Sequence, residues 1–210
     1  MNSKPLETNP VAKRPGRPPV DRREEILEAA RGLYETIGFE KTTMGDVAKA
    51  LGMSSANLYR SFSNRQAIDE AIAARMLSLI EDRAWREARV VRPASLGLSA
   101  LSRAVLEETR MRMFSQERIH HLCAVAAREQ WPVVHAYLDS LRGALRHVIM
   151  EGQRSGEFSR ADPEILAETV CAALTKVWHP QMVEAYAGED LTETSDRICS
   201  LLVDGMRSLK

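Results

Sequence analysis

Gly52 sits between two runs that each carry their own helix start, and this constrains the chain more tightly than any other feature. Residues 42–62 read Thr-Thr-Met-Gly-Asp-Val-Ala-Lys-Ala-Leu-Gly-Met-Ser-Ser-Ala-Asn-Leu-Tyr-Arg-Ser-Phe. Thr43 with Asp46 three residues on has the pattern of a capping box, in which side chain and backbone satisfy each other at a helix N-terminus. Val47, Ala48 and Leu51 give the helix that follows one apolar face. At Gly52 the helix must end in a left-handed conformation, which glycine adopts without strain. Ser54 offers a second N-cap, opening a helix that turns Leu58 and Phe62 inward. The outward positions of that helix are small or polar: Ser55, Ala56, Asn57, Tyr59 and Arg60. A short helix with a small, hydrogen-bonding N-terminal face suits insertion into a DNA major groove, so the segment is a helix-turn-helix candidate.

The charge distribution points to the same end of the chain. The 210 residues have no net charge, but residues 1–66 hold 11 Lys and Arg against 8 Asp and Glu, and the remainder 18 against 21. Lys13, Arg14, Arg17, Arg22 and Arg23 face only Asp21, an excess that suits an anionic partner. Residues 1–20 carry five prolines and no apolar periodicity, as in a flexible arm. Within that arm, Lys13-Arg14-Pro15-Gly16-Arg17-Pro18-Pro19 resembles the Gly-Arg-Pro core of an AT-hook, which lays arginine (here Arg14 and Arg17) into a narrow minor groove.

Everything else reads as helix. A first helix is expected from about residue 21 to 37, where Ile26, Leu27, Ala30, Leu33, Tyr34 and Ile37 recur at helical spacing before Gly38. Ser63 with Gln66 has a capping pattern and should start a long helix reaching about residue 89, before Pro93. Further helices are expected over about 95–115, 118–128, 132–156, 163–179 and 192–208. Pro132 and Pro163 sit at first-turn positions, and Pro180 is expected to stop the helix before it. No segment shows sustained strand alternation or an Asn-Gly or Asp-Gly hairpin signal. The fold expected is all-α, with about nine helices: an arm over 1–20, a three-helix helix-turn-helix bundle over 21–66, and a helical body over 67–210. At 44% hydrophobic and 5% aromatic residues, the core should be mainly aliphatic.

Three widely spaced cysteines, Cys123, Cys171 and Cys199, fit buried thiols in a reducing compartment better than a disulfide framework. No secretory signal and no apolar run of membrane-spanning length is present, so a cytoplasmic protein without membrane contact is expected. His120 and His121 are adjacent and point to different faces, and His135, His147 and His179 lack partners at ligand spacing, so neither metal nor cofactor is expected. There is no phosphate-binding glycine loop, nucleophile elbow or evident catalytic acid pair, which argues against an enzyme.

The chain resembles the TetR family of bacterial transcriptional regulators. The resemblance runs over roughly residues 22–70, through Ile26-Leu27-Glu28-Ala29-Ala30, Leu33-Tyr34, Gly38-Phe39, Thr42-Thr43, Asp46-Val47-Ala48, Ala50-Leu51-Gly52-Met53-Ser54, Leu58-Tyr59-Arg60, Phe62, Arg65 and Ile68. A shorter stretch, Ala172-Ala173-Leu174-Thr175 and His179-Pro180, is similar to an AmeR-like subgroup of multidrug-efflux repressors. The resemblance implies that Ser55, Ala56 and Asn57 face base edges, where Asn57 can hydrogen-bond and Ala56 can touch a thymine methyl. It assigns phosphate contacts to Thr43, Tyr59, Arg60 and Arg65, with the helix N-termini behind Thr43 and Ser54 contributing N–H groups.

By the same resemblance the partners are a palindromic double-stranded operator, a second copy of the chain, and a small apolar effector. Two recognition helices must meet successive major grooves about 34–36 Å apart, which requires a two-fold dimer. Its contact is expected on the helices at about 163–178 and 192–208, through Ile165, Leu166, Thr169, Val170, Ala173, Leu174, Ile198, Leu201, Leu202 and Met206. A ligand cavity is expected among the helices at about 95–155, with Met111, Phe114, His121, Cys123, Trp131, His135, Tyr137 and Trp178 as candidate lining. An effector there would shift the long helix starting near Asn64 and pull the two heads out of register. The alternative is a helical small-molecule-binding protein, or an enzyme on the same scaffold, without operator-specific DNA binding.

Overall fold

A computed structural model describes residues 22–115 and 117–209, with the side chains at 113–118 outside the described set. Arg14 and Arg17 therefore lie outside the described residues, and so does the side chain of Phe114. The described chain is all-α: α1 (Arg23–Ile37), α2 (Met44–Ala50), α3 (Ser55–Ser61), α4 (Arg65–Ala88), α5 (Ala94–Ser115), α6 (Glu117–Arg128), α7 (Pro132–Ser155), α8 (Pro163–Ala173), α9 (Thr175–Trp178), α10 (Pro180–Ala185) and α11 (Leu191–Ser208). A single 3-10 turn, Phe39–Lys41, lies between α1 and α2. Among the described residues no helix is long and apolar enough to cross a membrane.

Two differences from the sequence reading have local physical causes. The cap of α4 is Asn64 and not Ser63: the Asn64 side chain accepts from the Ala67 N–H at 2.8 Å, with Asn64 in extended backbone. The single helix expected over 163–179 is broken at Leu174; the helical run stops before Pro180 as expected, but Pro180 then opens the short α10. The break accompanies a long-range anchor. Leu174, Val177 and Trp178 are buried, and the Trp178 indole N–H donates to the Ser102 carbonyl of α5 at 3.2 Å. These extra short helices bring the described total to eleven, against about nine from periodicity.

Two hydrophobic clusters organise the molecule. The first joins Ile26, Ala30 and Tyr34 of α1, Val47 of α2, Leu58 of α3 and Phe62 to Ile68, Ile72 and Met76 on the first half of α4. It also takes in Ile119, Leu122, Cys123, Val125 and Ala126 of α6, and Trp131. The second is built on the rest of α4 with α5, α7, α8, α9 and α11, around Leu98, Leu101, Leu141, Leu145, Ile149 and Val203. Helix α4 runs through both, and α6 belongs to the first while packing on α5, α7 and α10. Displacement of either helix is therefore felt on both sides.

Close packing shapes the body. Gly152 of α7 faces Ala94 and Phe158, and a Cβ there would lie 2.8 Å from the Ala94 Cβ and closer still to the Phe158 ring. The Glu157 carboxylate caps α5 from outside the helix, accepting from Ala94 N–H at 2.6 Å and Ser95 N–H at 3.1 Å. Burial raises its pKa, but hydrogen bonds from Ser95, Ala94 and Arg207 outweigh this and hold it below the usual carboxylate range. A hydrogen bond of 2.7 Å between the buried Ser102 and Ser195 hydroxyls and a two-pronged Arg103–Asp196 ion pair at 2.7 Å fasten α11 to α5.

Candidate nucleic-acid interface and helix-lined cavity

The head is assembled from self-capped short helices. At α2 the Thr43 hydroxyl accepts from the Asp46 N–H at 3.2 Å, and the Thr43 N–H donates to the Asp46 carboxylate at 2.9 Å. The Thr43 hydroxyl and backbone bonds hold the Asp46 carboxyl below its ordinary pKa. Gly52 has φ +60 with open space around its missing Cβ, so conformation alone dictates glycine there. At α3 the Ser54 hydroxyl accepts from the Asn57 N–H at 3.3 Å. Seven-residue helices are marginal alone, and here Val47, Ala48, Leu58 and Phe62 secure them by burial.

What remains outside is the candidate reading surface. Ser54, Ser55, Ala56, Asn57, Tyr59 and Arg60 are all exposed, with Tyr59 at 52%. An Arg60 guanidinium N–H reaches the Asn57 side-chain oxygen at 3.4 Å, so the arginine lies along the same face. Thr43 is also exposed, at the open end of α2. Two exposed, self-capped helix N-termini, an amide, a phenol and a guanidinium thus share the outer side of α2 and α3, suited to phosphates and base edges.

Arg65, expected among the phosphate contacts, also bonds within the head. Its guanidinium is turned into the head, donating to the Glu40 carbonyl at 3.1 Å, lying 3.4 Å from the Asp69 carboxylate and 5.7 Å from the Phe39 ring centroid. One guanidinium nitrogen is thus tied to the turn after α1 at the start of α4, while a third of the side chain stays exposed. Asp69 itself is buried and accepts a short hydrogen bond from the Tyr34 hydroxyl, linking α1 to α4. Burial, then the hydrogen bond to Asp69, pushes the Tyr34 hydroxyl well above its ordinary pKa. Sequence reading treated Tyr34 as apolar and missed Asp69, whose only signal was an acid on the apolar face of a helix. Arg23 closes the opposite side, donating to the Ser61 carbonyl at 2.6 Å and stacking 4.2 Å from the Phe62 ring centroid.

A cavity of about 380 Å³ lies between α4, α5, α6, α7, α8 and α9. Cys123, His135, Tyr137 and Trp178 from the candidate lining set meet there, joined by Leu77, Ile80, Leu138 and Leu141. Cys171 and His179 also line it and were not singled out from sequence for this role. Three other candidates do not meet there. Met111 is exposed on α5. His121 faces the head, with its ring centroid 5.6 Å from that of Phe39 and its Nε2 3.5 Å from Glu40. Trp131 caps α7 and packs in the head-side cluster, its indole N–H donating to Glu129 at 3.1 Å. Helical periodicity marks which face is apolar, but not which of two cores it enters.

On α8, Ile165, Thr169, Ala172 and Ala173 are exposed along one face, and on α11 Leu201 is exposed beside partly covered Ile198 and Leu202. Leu166, Val170, Leu174 and Met206, expected on an intersubunit face, instead close this chain's own core.

Comparison with known proteins agrees with this architecture. Residues 26–72 match the family described as "Bacterial regulatory proteins, tetR family", and residues 94–199 match "Tetracyclin repressor-like, C-terminal domain". The chain is 23% identical to a curated Bacillus subtilis relative named as an uncharacterized HTH-type transcriptional regulator, over 70% of this chain and 78% of the relative. Among solved structures, a transcriptional regulator from Cytophaga hutchinsonii superposes with a TM-score of 0.67 at 19% identity, covering 90% of this chain and 100% of its own. A SmeT–triclosan complex superposes at 0.62 and 20% identity, covering 87% and 90%.

Proposed function

The chain belongs to the tetR family of bacterial regulatory proteins, a helix-turn-helix transcriptional regulator, and from that premise we propose that it is a dimeric repressor released from its operator by a small apolar effector. In this reading residues 21–66 are the DNA-binding head, residues 67–210 the effector-binding and dimerising body, and residues 1–20 a basic arm. Ser55, Ala56 and Asn57 read base edges, while Thr43, Ser54, Tyr59 and Arg60 hold phosphates; Arg14 and Arg17 of the arm reach the adjacent minor groove. The observation that carries the proposal is the exposed outer face of α3, which keeps Asn57, Tyr59 and Arg60 outside while Leu58 and Phe62 are buried.

Dimerisation would use the exposed Ile165, Ala172 and Ala173 of α8 with Leu201 of α11, small and apolar groups that let helices approach closely. The cavity is the proposed effector site. Its wall includes Leu77 and Ile80 of α4 and Cys123 of α6, two helices that also enter the head-side cluster. An occupant that displaces α6 or α4 would therefore move the head, and the coupling must be reciprocal, so operator would weaken effector binding by the same factor. The SmeT–triclosan complex among the structural neighbours supports a protein of this fold binding a small molecule. The AmeR-like stretch over Ala172-Ala173-Leu174-Thr175 favours an efflux-pump promoter as target.

The test is selection of a duplex from a random pool with the full chain, followed by fluorescence anisotropy with the selected site. The wild type should bind with a log affinity that falls linearly with log salt. Failure to enrich any sequence, or an affinity indifferent to salt, would contradict the reading.

A further inference from the structure

The cavity is open on one side, and its lining residues divide by exposure. The floor is buried and mainly apolar, with Leu77, Ile80, Tyr137, Leu141 and Trp178. The exposed lining residues are Gln130 at the turn before α7, His135 and Leu138 on α7, Glu168 and Ala172 on α8, and Thr175 at the start of α9. His135 and Leu138 are three residues apart and Glu168 and Ala172 four apart, so each pair shares one helix face. The mouth thus runs between two lips, one on α7 and one on α8, helices that pack against each other.

The α8 lip is continuous with the face proposed for dimerisation. Successive residues of a helix are about 100° apart, which sets Glu168, Ala172, Ile165, Thr169 and Ala173 in that order around one arc of α8. All five are exposed. Ala172 lies within this arc between Glu168 and Ile165 and also lines the cavity, so a surface seated on Ile165 and Ala172 reaches the mouth. The opposite lip carries an exposed apolar group of its own, Leu138. Covering the mouth would bury Leu138 and Ala172 and remove water from the open side of an apolar occupant. Two operator half-sites require two chains, and the covering surface that this geometry calls for is a second copy of the chain.

We propose that the cavity is shared between two subunits: a second copy, seated across the exposed face of α8, closes the mouth between α7 and α8, and an occupant enters or leaves only when that contact parts. This rests on the reading of α8 and α11 as the dimer contact and adds that the same contact completes the cavity. Occupancy and dimerisation are then linked, each strengthening the other.

Thiol labelling of the full-length chain tests it. In a Cys171→Ser background, Leu138→Cys places a thiol on the α7 lip, and Val91→Cys, at a fully exposed position between α4 and α5, serves as the reference. The remaining Cys123 and Cys199 are buried with raised pKa and react slowly. N-ethylmaleimide uptake is followed by intact mass for the dimer and for the Ile165→Asp, Leu201→Asp form, with each oligomeric state read by sedimentation. Position 138 should label about tenfold or more slowly in the dimer than in the monomer, and position 91 within about twofold in both. The uncharged fluorophore N-phenyl-1-naphthylamine should also bind about tenfold tighter to the dimer, although neither Ile165 nor Leu201 lines the cavity. Equal labelling at position 138 in a chain that sediments as a dimer, or equal fluorophore affinity for dimer and monomer, would overturn the proposal and leave the dimer reading standing. A chain that is monomeric at every concentration, or an aspartate variant that stays dimeric, would remove the α8–α11 contact and the proposal with it. Protection of position 138 without fluorophore binding would support the shared closure and count against the effector reading alone.

Discussion

Tyr59 and Arg60 can be removed without touching the core, since both side chains project from α3 while the neighbouring Leu58 is buried. Tyr59→Ala with Arg60→Ala should leave the melting temperature within about 2 °C of wild type, as expected for surface changes. The same double change should weaken operator binding at least tenfold and lower the salt slope by about one for each phosphate no longer neutralised. Gly152 behaves oppositely: Gly152→Ala forces a Cβ into Ala94 and Phe158 and should cost about 1–3 kcal/mol in denaturant unfolding. An unchanged midpoint would show that Phe158 can move aside.

His120 makes a pH prediction at the same scale. Burial pushes its imidazole below the ordinary 6.5, against a weaker opposing pull from Glu184. Between the lowered value and 6.5 the folded chain binds fewer protons than the unfolded one, so stability rises with pH there and is lost as pH falls below 6.5. Melting temperatures between about pH 7 and pH 5 should therefore fall on acidification, and His120→Gln should flatten the decline. Identical slopes for the two proteins would show that His120 is not the group responsible.

At the scale of elements, the head was legible because its signals are local. The Thr43–Asp46 box, Gly52 and Ser54 each act within four residues, and each is where the spacing predicts. The start of α4 was misplaced by one residue because Ser63 and Asn64 are both competent caps and only backbone geometry chooses Asn64. Asn64→Ala should destabilise the protein by about 1 kcal/mol, and Ser63→Ala by much less; the reverse order would contradict the assignment. The break at Leu174 was not legible, since Trp178 bonds to Ser102 across 76 residues and no local pattern carries that contact. The Tyr34–Asp69 link, across 35 residues, was missed for the same reason. Cavity residues were partly legible: periodicity marks the apolar faces of α6 and α7 but cannot separate Tyr137, on the cavity wall, from His121 and Trp131 on the head side, and Cys123 belongs to both.

For the whole molecule, the proposal needs two heads at a fixed separation. Ile165 and Leu201 are 62% and 74% exposed on the α8 and α11 faces that the proposed dimer would cover. Ile165→Asp with Leu201→Asp should convert a dimer to a folded monomer in sedimentation and weaken operator binding, because one head cannot hold two half-sites. A variant that remains dimeric would place the contact elsewhere.

The most direct measurement is a DNase footprint of the full chain on its selected duplex, wild type beside the Tyr59→Ala, Arg60→Ala double variant. The account predicts two protected half-sites about one helical turn apart, related by a two-fold axis and abolished together in the variant. A single protected site, or a variant that protects as well as wild type, would contradict it.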